Sequence, residues 1–287
     1  MNYPFQEQSL NNKISASGYV ITPFFSSDEV QSLLNIFLTN HNSSIPGFYA
    51  SSHSSDLGFR KSMSDKIRKA IISSTKIGFE NVEFLGGSFI VKTKDEKNRL
   101  NPHQDWSIVD ERHSDSFNIW IPLVDVNNDN GAIRVVPKSH LWFSNQRGPN
   151  IPDPLDKYQE RVWDKMIDLP MKAGEALIYN HKLYHASTPN ITDELRVAAV
   201  FGLKQKDKPM FYYFGNDSDV EVYKSNVDFF LSGNIQEGNK ELELITKSSL
   251  EVGINNNQLP SEFNDSNIKV KSGVNLFLSL LKKLRTK

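Results

Sequence analysis

Ser116-Phe117-Asn118-Ile119-Trp120-Ile121-Pro122-Leu123 places Phe117, Ile119, Ile121 and Leu123 on one side of an extended chain and Asn118 and Trp120 on the other. A period of two is the mark of a strand. The run reaches Val126 and stops at Asn127-Asn128-Asp129-Asn130-Gly131. An Asn-Gly pair between apolar runs is a strong hairpin signal. Residues 132–136 are therefore predicted as the returning strand, closed by Pro137-Lys138-Ser139-His140.

Working outward, residues 83–91 are strand-like, and Gly86-Gly87 inside them suggests a bulge or close backbone approach. Residues 92–99 read as a charged turn, followed by a strand through His103. Downstream, Lys172-Ala173-Gly174-Glu175 is a turn, residues 176–179 a strand ending near His185, and residues 196–203 a further β run. Many short strands with turn signals imply a sandwich or barrel, and a jelly roll is the natural choice. The predicted class is mainly β with flanking helices packed on one sheet.

Residues 1–16 are polar and are expected to form a loose arm before a short strand at Gly18-Tyr19-Val20-Ile21. Ser26 and Glu29 have capping-box spacing, and Val30, Leu33, Leu34, Phe37 and Leu38 make one apolar helical stripe. Residues 40–55 read as loop and 64–77 as a second helix. The span 141–167 interrupts the strands with aromatics and prolines, as a lid-like insertion does. Residues 205–265 are harder to read: 210–214 are aromatic, 227–231 apolar and 253–267 Asn-rich. Residues 274–284 have helical spacing and a basic end, which fits a docked terminal helix or a surface-binding one. The expected organisation is one domain over 1–287: strand and helices at 18–80, jelly-roll core at 82–203, and a C-terminal extension at 204–287.

Lys and Arg total 33 against 34 Asp and Glu, a net charge of −1, so nothing suggests nucleic acid as a partner. There are no cysteines, which excludes disulfides, thiolate metal sites and cysteine nucleophiles. The first residues lack a signal-peptide pattern and no apolar run is long enough for a bilayer, so a cytoplasmic protein with no membrane partner is expected. The oligomeric state is not readable.

The chemistry is suggested by His103-Gln104-Asp105. In an extended strand residues i and i+2 share a face, so an imidazole and a carboxylate point the same way. His185 offers a second imidazole. Two His and one carboxylate with open positions suit non-haem Fe(II) and oxygen chemistry. Taken singly, each His has a structural or surface reading as well. Arg196 opens an apolar run after a turn rich in Ser, Thr, Pro and Asn, and a hairpin there returns it near His185. A guanidinium in such a place needs an anion. That anion is a ligand carboxylate or, alternatively, an Asp or Glu of the chain.

The set of Gly18-Tyr19-Val20, Phe24-Phe25-Ser26, His103-Gln104-Asp105-Trp106, residues 118–123, residues 130–140, His185-Ala186-Ser187 and Arg196 resembles the phytanoyl-CoA dioxygenase family of Fe(II)/2-oxoglutarate oxygenases. The likeness spans about residues 18–203 and departs at Lys138, where the family usually has Gly. It implies a double-stranded β-helix with His103, Asp105 and His185 binding iron. It implies that Arg196 and Ser187 hold the distal carboxylate of 2-oxoglutarate, with Trp120 beside the cosubstrate, O2 as co-reactant and succinate as product. Asn118 shares the Trp120 face, where it reaches the cosubstrate by a hydrogen bond. Lys92 is a weaker lining residue, better read as a solvated turn lysine. Related halogenases have Gly or Ala where Asp105 stands, so the resemblance implies hydroxylation, or a related oxidation, of a small-molecule substrate.

Secondary metabolites are the default substrate class and acyl-CoA or carrier-bound groups the next. A cupin-type metalloenzyme without 2-oxoglutarate and a non-catalytic β-sandwich binding module are the competing readings. The pocket wall is expected from residues 141–167, 43–60 and 211–214, with Trp106, Trp142 and Arg147 contacting substrate.

Overall fold

The alternation that begins at Ser116 forms a strand buried on both faces. A computed structural model describes residues 4–41, 47–74, 76–143, 145–216, 219–232 and 242–249, with Pro260 and Phe263. In chain order the elements are α1 (Gln8–Ser17), β1 (Tyr19–Pro23), α2 (Ser27–Asn40), β2 (Phe48–Ala50), α3 (Leu57–Ser73), β3 (Val82–Lys92), β4 (Leu100–His103), β5 (Ser116–Pro122) and β6 (Ile133–Val135). They continue with α4 (Gln159–Asp164), β7 (Ile167–Leu169), β8 (Glu175–Asn180), β9 (His185–Ser187), β10 (Arg196–Gln205), β11 (Met210–Asn216), β12 (Asp219–Ser225), α5 (Val227–Ser232) and β13 (Leu244–Ser249).

Six strands make a large antiparallel sheet in the order β1-β8-β5-β10-β3-β2, and four make a smaller one, β4-β9-β6-β7. The jelly-roll expectation holds, and it explains why β5 has no wet face. Phe117, Ile119 and Ile121 of β5, with Val197, Ala199 and Phe201 of β10, pack outward on Leu33 and Phe37 of α2 and Ile67 and Ile71 of α3. Trp120, Leu177, Tyr179 and Ala198 face inward and meet Ile133, Val135 and Leu169 of the small sheet.

Two predicted hairpins prove to be crossovers. β5 lies in the large sheet and β6 in the small one, so the Asn130-Gly131 turn passes the chain between sheets rather than pairing its neighbours. The same is true of β9 and β10, so His185 and Arg196 come from facing sheets. The turn chemistry was read correctly: Gly131 has φ +96°, which favours glycine. What local sequence lacks is which sheet the next strand joins.

α2 is capped as expected, with the Ser26 hydroxyl and the Glu29 carboxylate bonding reciprocally to each other's backbone. The expected N-terminal arm is instead helical from Gln8, because Leu10 and Ile14 dock on the core and Asn11 holds both backbone groups of Phe5. The second helix starts seven residues earlier than the 64–77 reading, where Asp56 caps it at the N–H of Phe59. Beyond residue 205, β11, β12 and β13 form a separate three-stranded sheet. The predicted terminal helix and most of the Asn-rich stretch lie outside the described residues. Among those described, no helix is long and apolar enough to cross a membrane.

A buried residue of β5 and an exposed one of α2 set a stability test. Ile119 is fully buried and Leu38 is 55% exposed. Ile119→Ala is expected to cost about 2–5 kcal/mol and Leu38→Ala less than about 0.5 kcal/mol, read from urea midpoints at constant m-value.

Candidate metal centre

β4 and β9 are antiparallel neighbours, and His103 and His185 are cross-strand partners. Their ring centroids are 4.2 Å apart. Asp105 follows two residues after His103, past the end of β4, where its N–H donates to the carbonyl of His181 at 3.1 Å. One ligand atom from each of His103, Asp105 and His185 lies within 4.8 Å of the others, a group that could hold a metal ion.

The orientation of each ligand is set by the backbone. Nδ1 of His103 donates to the carbonyl of Asn101 at 2.8 Å, and Nδ1 of His185 to that of Leu183 at 3.0 Å. A proton held at Nδ1 leaves the Nε2 lone pair free, the tautomer a metal needs. Nδ2 of Asn118 donates to Oδ2 of Asp105 at 2.9 Å, and that oxygen lies 3.8 Å from Nε2 of His185. Asn118 thus steadies a carboxylate, a different contact from the one expected of it.

Charge states agree with this geometry. Burial raises the Asp105 carboxyl, but His185, His181, His103 and the Asn118 hydrogen bond together hold it below the usual value. Burial and the neighbouring His103 push His185 down to about 4. One carboxylate and a neutral buried imidazole are the forms that bind a divalent cation.

Tyr179 completes the group. It pairs with Asn118 across β8 and β5, and its hydroxyl lies 3.5 Å from Nε2 of His185. Sequence reading passed over it as a strand end. Its signal was the period of two: Leu177, Tyr179 and His181 share one face.

A second cluster sits on the same inner surface. Arg196 is 1% exposed and donates from Nη1 to the carbonyl of Ile90 at 3.3 Å, while its Nε is buried with no partner. Its guanidinium carbon lies 5.6 Å from the Trp120 ring centroid. Directly across the strand pair is Lys92, also 1% exposed. This corrects the reading of Lys92 as a solvated turn lysine. It is the last residue of β3, and Nζ donates to the carbonyls of Asn98 at 2.9 Å and Thr188 at 2.6 Å.

Burial and the charge of Arg196 push Lys92 down to about 7, against a smaller pull from Asp95. Burial pushes Arg196 down to about 10. Among the described residues, no carboxylate is in salt-bridge contact with either cation. Among the described residues, the internal salt bridge considered for Arg196 is therefore not formed.

Gly131 packs on both cations. A Cβ there would meet Lys92 Cδ at 3.1 Å and Arg196 Nε at 3.4 Å. Ser187, 1% exposed, is two residues beyond His185 in β9 and so shares its face. A buried cation pair next to an aromatic ring, with an unpaired N–H, is built for an anion.

Of the three residues expected to touch substrate, Trp142 and Arg147 make internal contacts. Trp142 packs against Tyr184 and edge-on against Phe263, in the cluster that Leu155, Tyr158 and Val162 of residues 141–167 build with Val136 and Ala186. Arg147 is consumed internally: it pairs with Glu111 through two hydrogen bonds of 2.6 and 2.7 Å, with both side chains under 8% exposed. Its Nε also donates to the carbonyl of Asp105 at 2.6 Å. A guanidinium so saturated braces the segment after β4 that carries Asp105 and is not open to a ligand. Trp106 is half-buried beside Asp105.

A jelly roll with two imidazoles and a carboxylate at one place on its inner surface, and a buried cation pair at another, defines a cupin-like protein with a candidate metal centre. The profile of the phytanoyl-CoA dioxygenase family matches residues 47–198, more than half of the chain, and the protein belongs to that family. It is 24% identical over 208 residues to phytanoyl-CoA dioxygenase domain-containing protein 1 of Rattus norvegicus, covering 70% of each. It is 30% identical over 91 residues to Dioxygenase FUM3 of Gibberella moniliformis, covering 32% of this chain and 26% of that one.

In fold it is similar to SnoN, a non-haem α-ketoglutarate-dependent epimerase from nogalamycin biosynthesis, with a TM-score of 0.52 and 17% identity. That match covers 85% of this chain and 97% of SnoN.

The brace at Arg147 can be tested apart from activity. Arg147→Met strands Glu111 without a partner and is expected to cost about 3–5 kcal/mol in urea unfolding. Adding Glu111→Leu is expected to restore most of that stability. Metal affinity should stay reduced in the double variant, because the Asp105 carbonyl has still lost its donor.

Proposed function

We propose that the protein is a non-haem Fe(II)- and 2-oxoglutarate-dependent dioxygenase that hydroxylates an unactivated C–H bond of a small molecule, with a secondary metabolite as the favoured substrate class. The observation that carries the reading is the buried Arg196, with an unpaired Nε and Lys92 beside it, in the same jelly roll as the His103–Asp105–His185 group. A metal site alone fits many cupins. A metal site with a buried anion receptor fits a cosubstrate that is a dicarboxylate.

The donor set fits iron. Two imidazoles with free Nε2 and one carboxylate leave open positions and suit Fe(II). Bound iron, 2-oxoglutarate and O2 supply the oxidising power: one oxygen atom enters succinate as carbon dioxide leaves, and the other enters the substrate.

The protein's own residues do the rest. Arg196 offers a fixed fork to the distal carboxylate, and Lys92 adds a second positive charge. Trp120 and Ser187 flank that group. Asn118 fixes Asp105, and Asp105 occupies the position left open in halogenases, which favours hydroxylation. The inward apolar side chains between the sheets keep water out.

The first measurement is an anaerobic titration with Fe(II) and then 2-oxoglutarate. A weak visible band requiring both is expected. In Arg196→Ala iron should still bind while 2-oxoglutarate binding weakens by about 2–5 kcal/mol. An unchanged band in that variant would overturn the reading. Epimerisation, the reaction of SnoN, adds no oxygen to substrate, so 18O2 incorporation into product distinguishes it from hydroxylation.

Lys92 gives a pH dependence. With its amine at about 7, it is charged below that pH and attracts a carboxylate. Above it, binding must first return a proton to the amine. The affinity for 2-oxoglutarate should fall as pH rises past about 7, with proton uptake visible by calorimetry in buffers of different ionisation enthalpy. Lys92→Met should bind more weakly at pH 6 and show no such slope.

A further inference from the structure

Beyond Arg196, the inward face of β10 continues through Ala198 and Val200 to Gly202, by the alternation of an extended strand. Gly202 stands directly opposite Asn118 in β5. A Cβ at Gly202 would lie 3.3 Å from Leu85 Cδ1 and 3.6 Å from Asn118 Oδ1. The missing side chain leaves room on the Oδ1 side of the amide whose Nδ2 holds Asp105. A cavity of about 230 Å³ opens there.

Its apolar wall includes Leu85, Ile108, Val200, Met210, Phe230 and Leu231, drawn from both sides of the sheet and from β11 and α5. Ser52, Ser88 and Asn118 are its polar lining residues, and among the described residues none that lines it is charged. Burying a charge without a partner is costly, so this lining rejects ionised groups. In size it exceeds a cavity of ~150 Å³ that holds benzene.

We propose that this cavity is the subsite for the part of the substrate that is oxidised. It takes an uncharged, apolar group, a fused ring or branched alkyl, and Gly202 sets its depth. The assignment to the substrate rests on the oxygenase reading above, while the chemical class of the occupant rests on the lining alone. Gly202 is a specificity-determining residue here: any larger side chain occupies the space beside Asn118 that the group needs.

The probes are 2-naphthol, neutral at pH 7, and naphthalene-2-sulfonate, its charged counterpart. Binding to the purified full chain is measured by calorimetry, and the visible band of the protein with Fe(II) and 2-oxoglutarate is recorded with and without 2-naphthol. Gly202→Val fills the cavity from the sheet. Val227→Trp fills it from α5 and leaves the sheet untouched, so a folding defect in one variant does not decide the test.

The wild type should bind 2-naphthol, with the sulfonate at least about tenfold weaker. Both variants should bind 2-naphthol at least about tenfold more weakly. 2-Naphthol should also shift the visible band of the wild type. Equal binding by wild type and both variants, equal binding of the sulfonate, or no binding at all overturns the subsite. If 2-naphthol binds and is lost in the variants but no band forms with Fe(II) and 2-oxoglutarate, the oxygenase reading fails and the apolar cavity stands.

Discussion

A guanidinium held between two sheets, with no carboxylate partner among the described residues, is the constraint around which this molecule is arranged. Arg196 is 1% exposed and lies across from Lys92, so the fold places two like charges side by side where water does not reach. Directly opposed like charges are destabilising. The surroundings soften the conflict in three ways. Backbone carbonyls of Ile90, Asn98 and Thr188 accept from the pair. The Trp120 ring offers its face to the guanidinium. Burial and the neighbouring charge push the Lys92 amine down to about 7, so that it gives up its proton more readily than an ordinary lysine. What they leave over is a site of positive potential on an inward surface, shaped at its floor by Gly131.

The metal-side cluster is organised on a different principle, by main-chain geometry. Each imidazole donates to a carbonyl two residues before it. Asp105 is fixed at three points: its amide to His181, its carbonyl to Arg147, and its carboxylate to Asn118. These contacts come from four separate stretches of chain. The geometry of the three candidate ligands is therefore a property of the assembled sandwich, as a site built on rigid elements needs to be.

Most of the strands were legible because a two-residue period survives in them even where both faces are buried. His103 and Asp105 were legible as an i, i+2 pair, and Arg196 as a cation opening an apolar strand. Sheet membership was not. The Asn130-Gly131 turn and the turn before Arg196 carry hairpin chemistry but connect different sheets, since a turn motif encodes a reversal and not the partner of the strand that follows. Lys92 was misread because a lysine that opens a charged run looks solvated, and only the pairing of β3 with β10 buries it. Arg147 was assigned to substrate because its partner, Glu111, lies 36 residues away. α1 was missed because two apolar residues and one asparagine make its whole buried face.

The cation pair also bears on what happens after turnover. Under the proposed function, the carboxylate gripped by Arg196 and Lys92 is the one that survives when the other end of the cosubstrate loses carbon dioxide. Succinate therefore leaves the reaction carrying the very group the receptor was built to hold, and its two ends are chemically identical. A receptor of this kind recognises spent and fresh cosubstrate through the same contact, so the difference in affinity between them must come from the metal end. Departure of succinate, and competition from any cellular pool of it, then become natural brakes on the cycle, set by the same buried charges that stabilise the start of it.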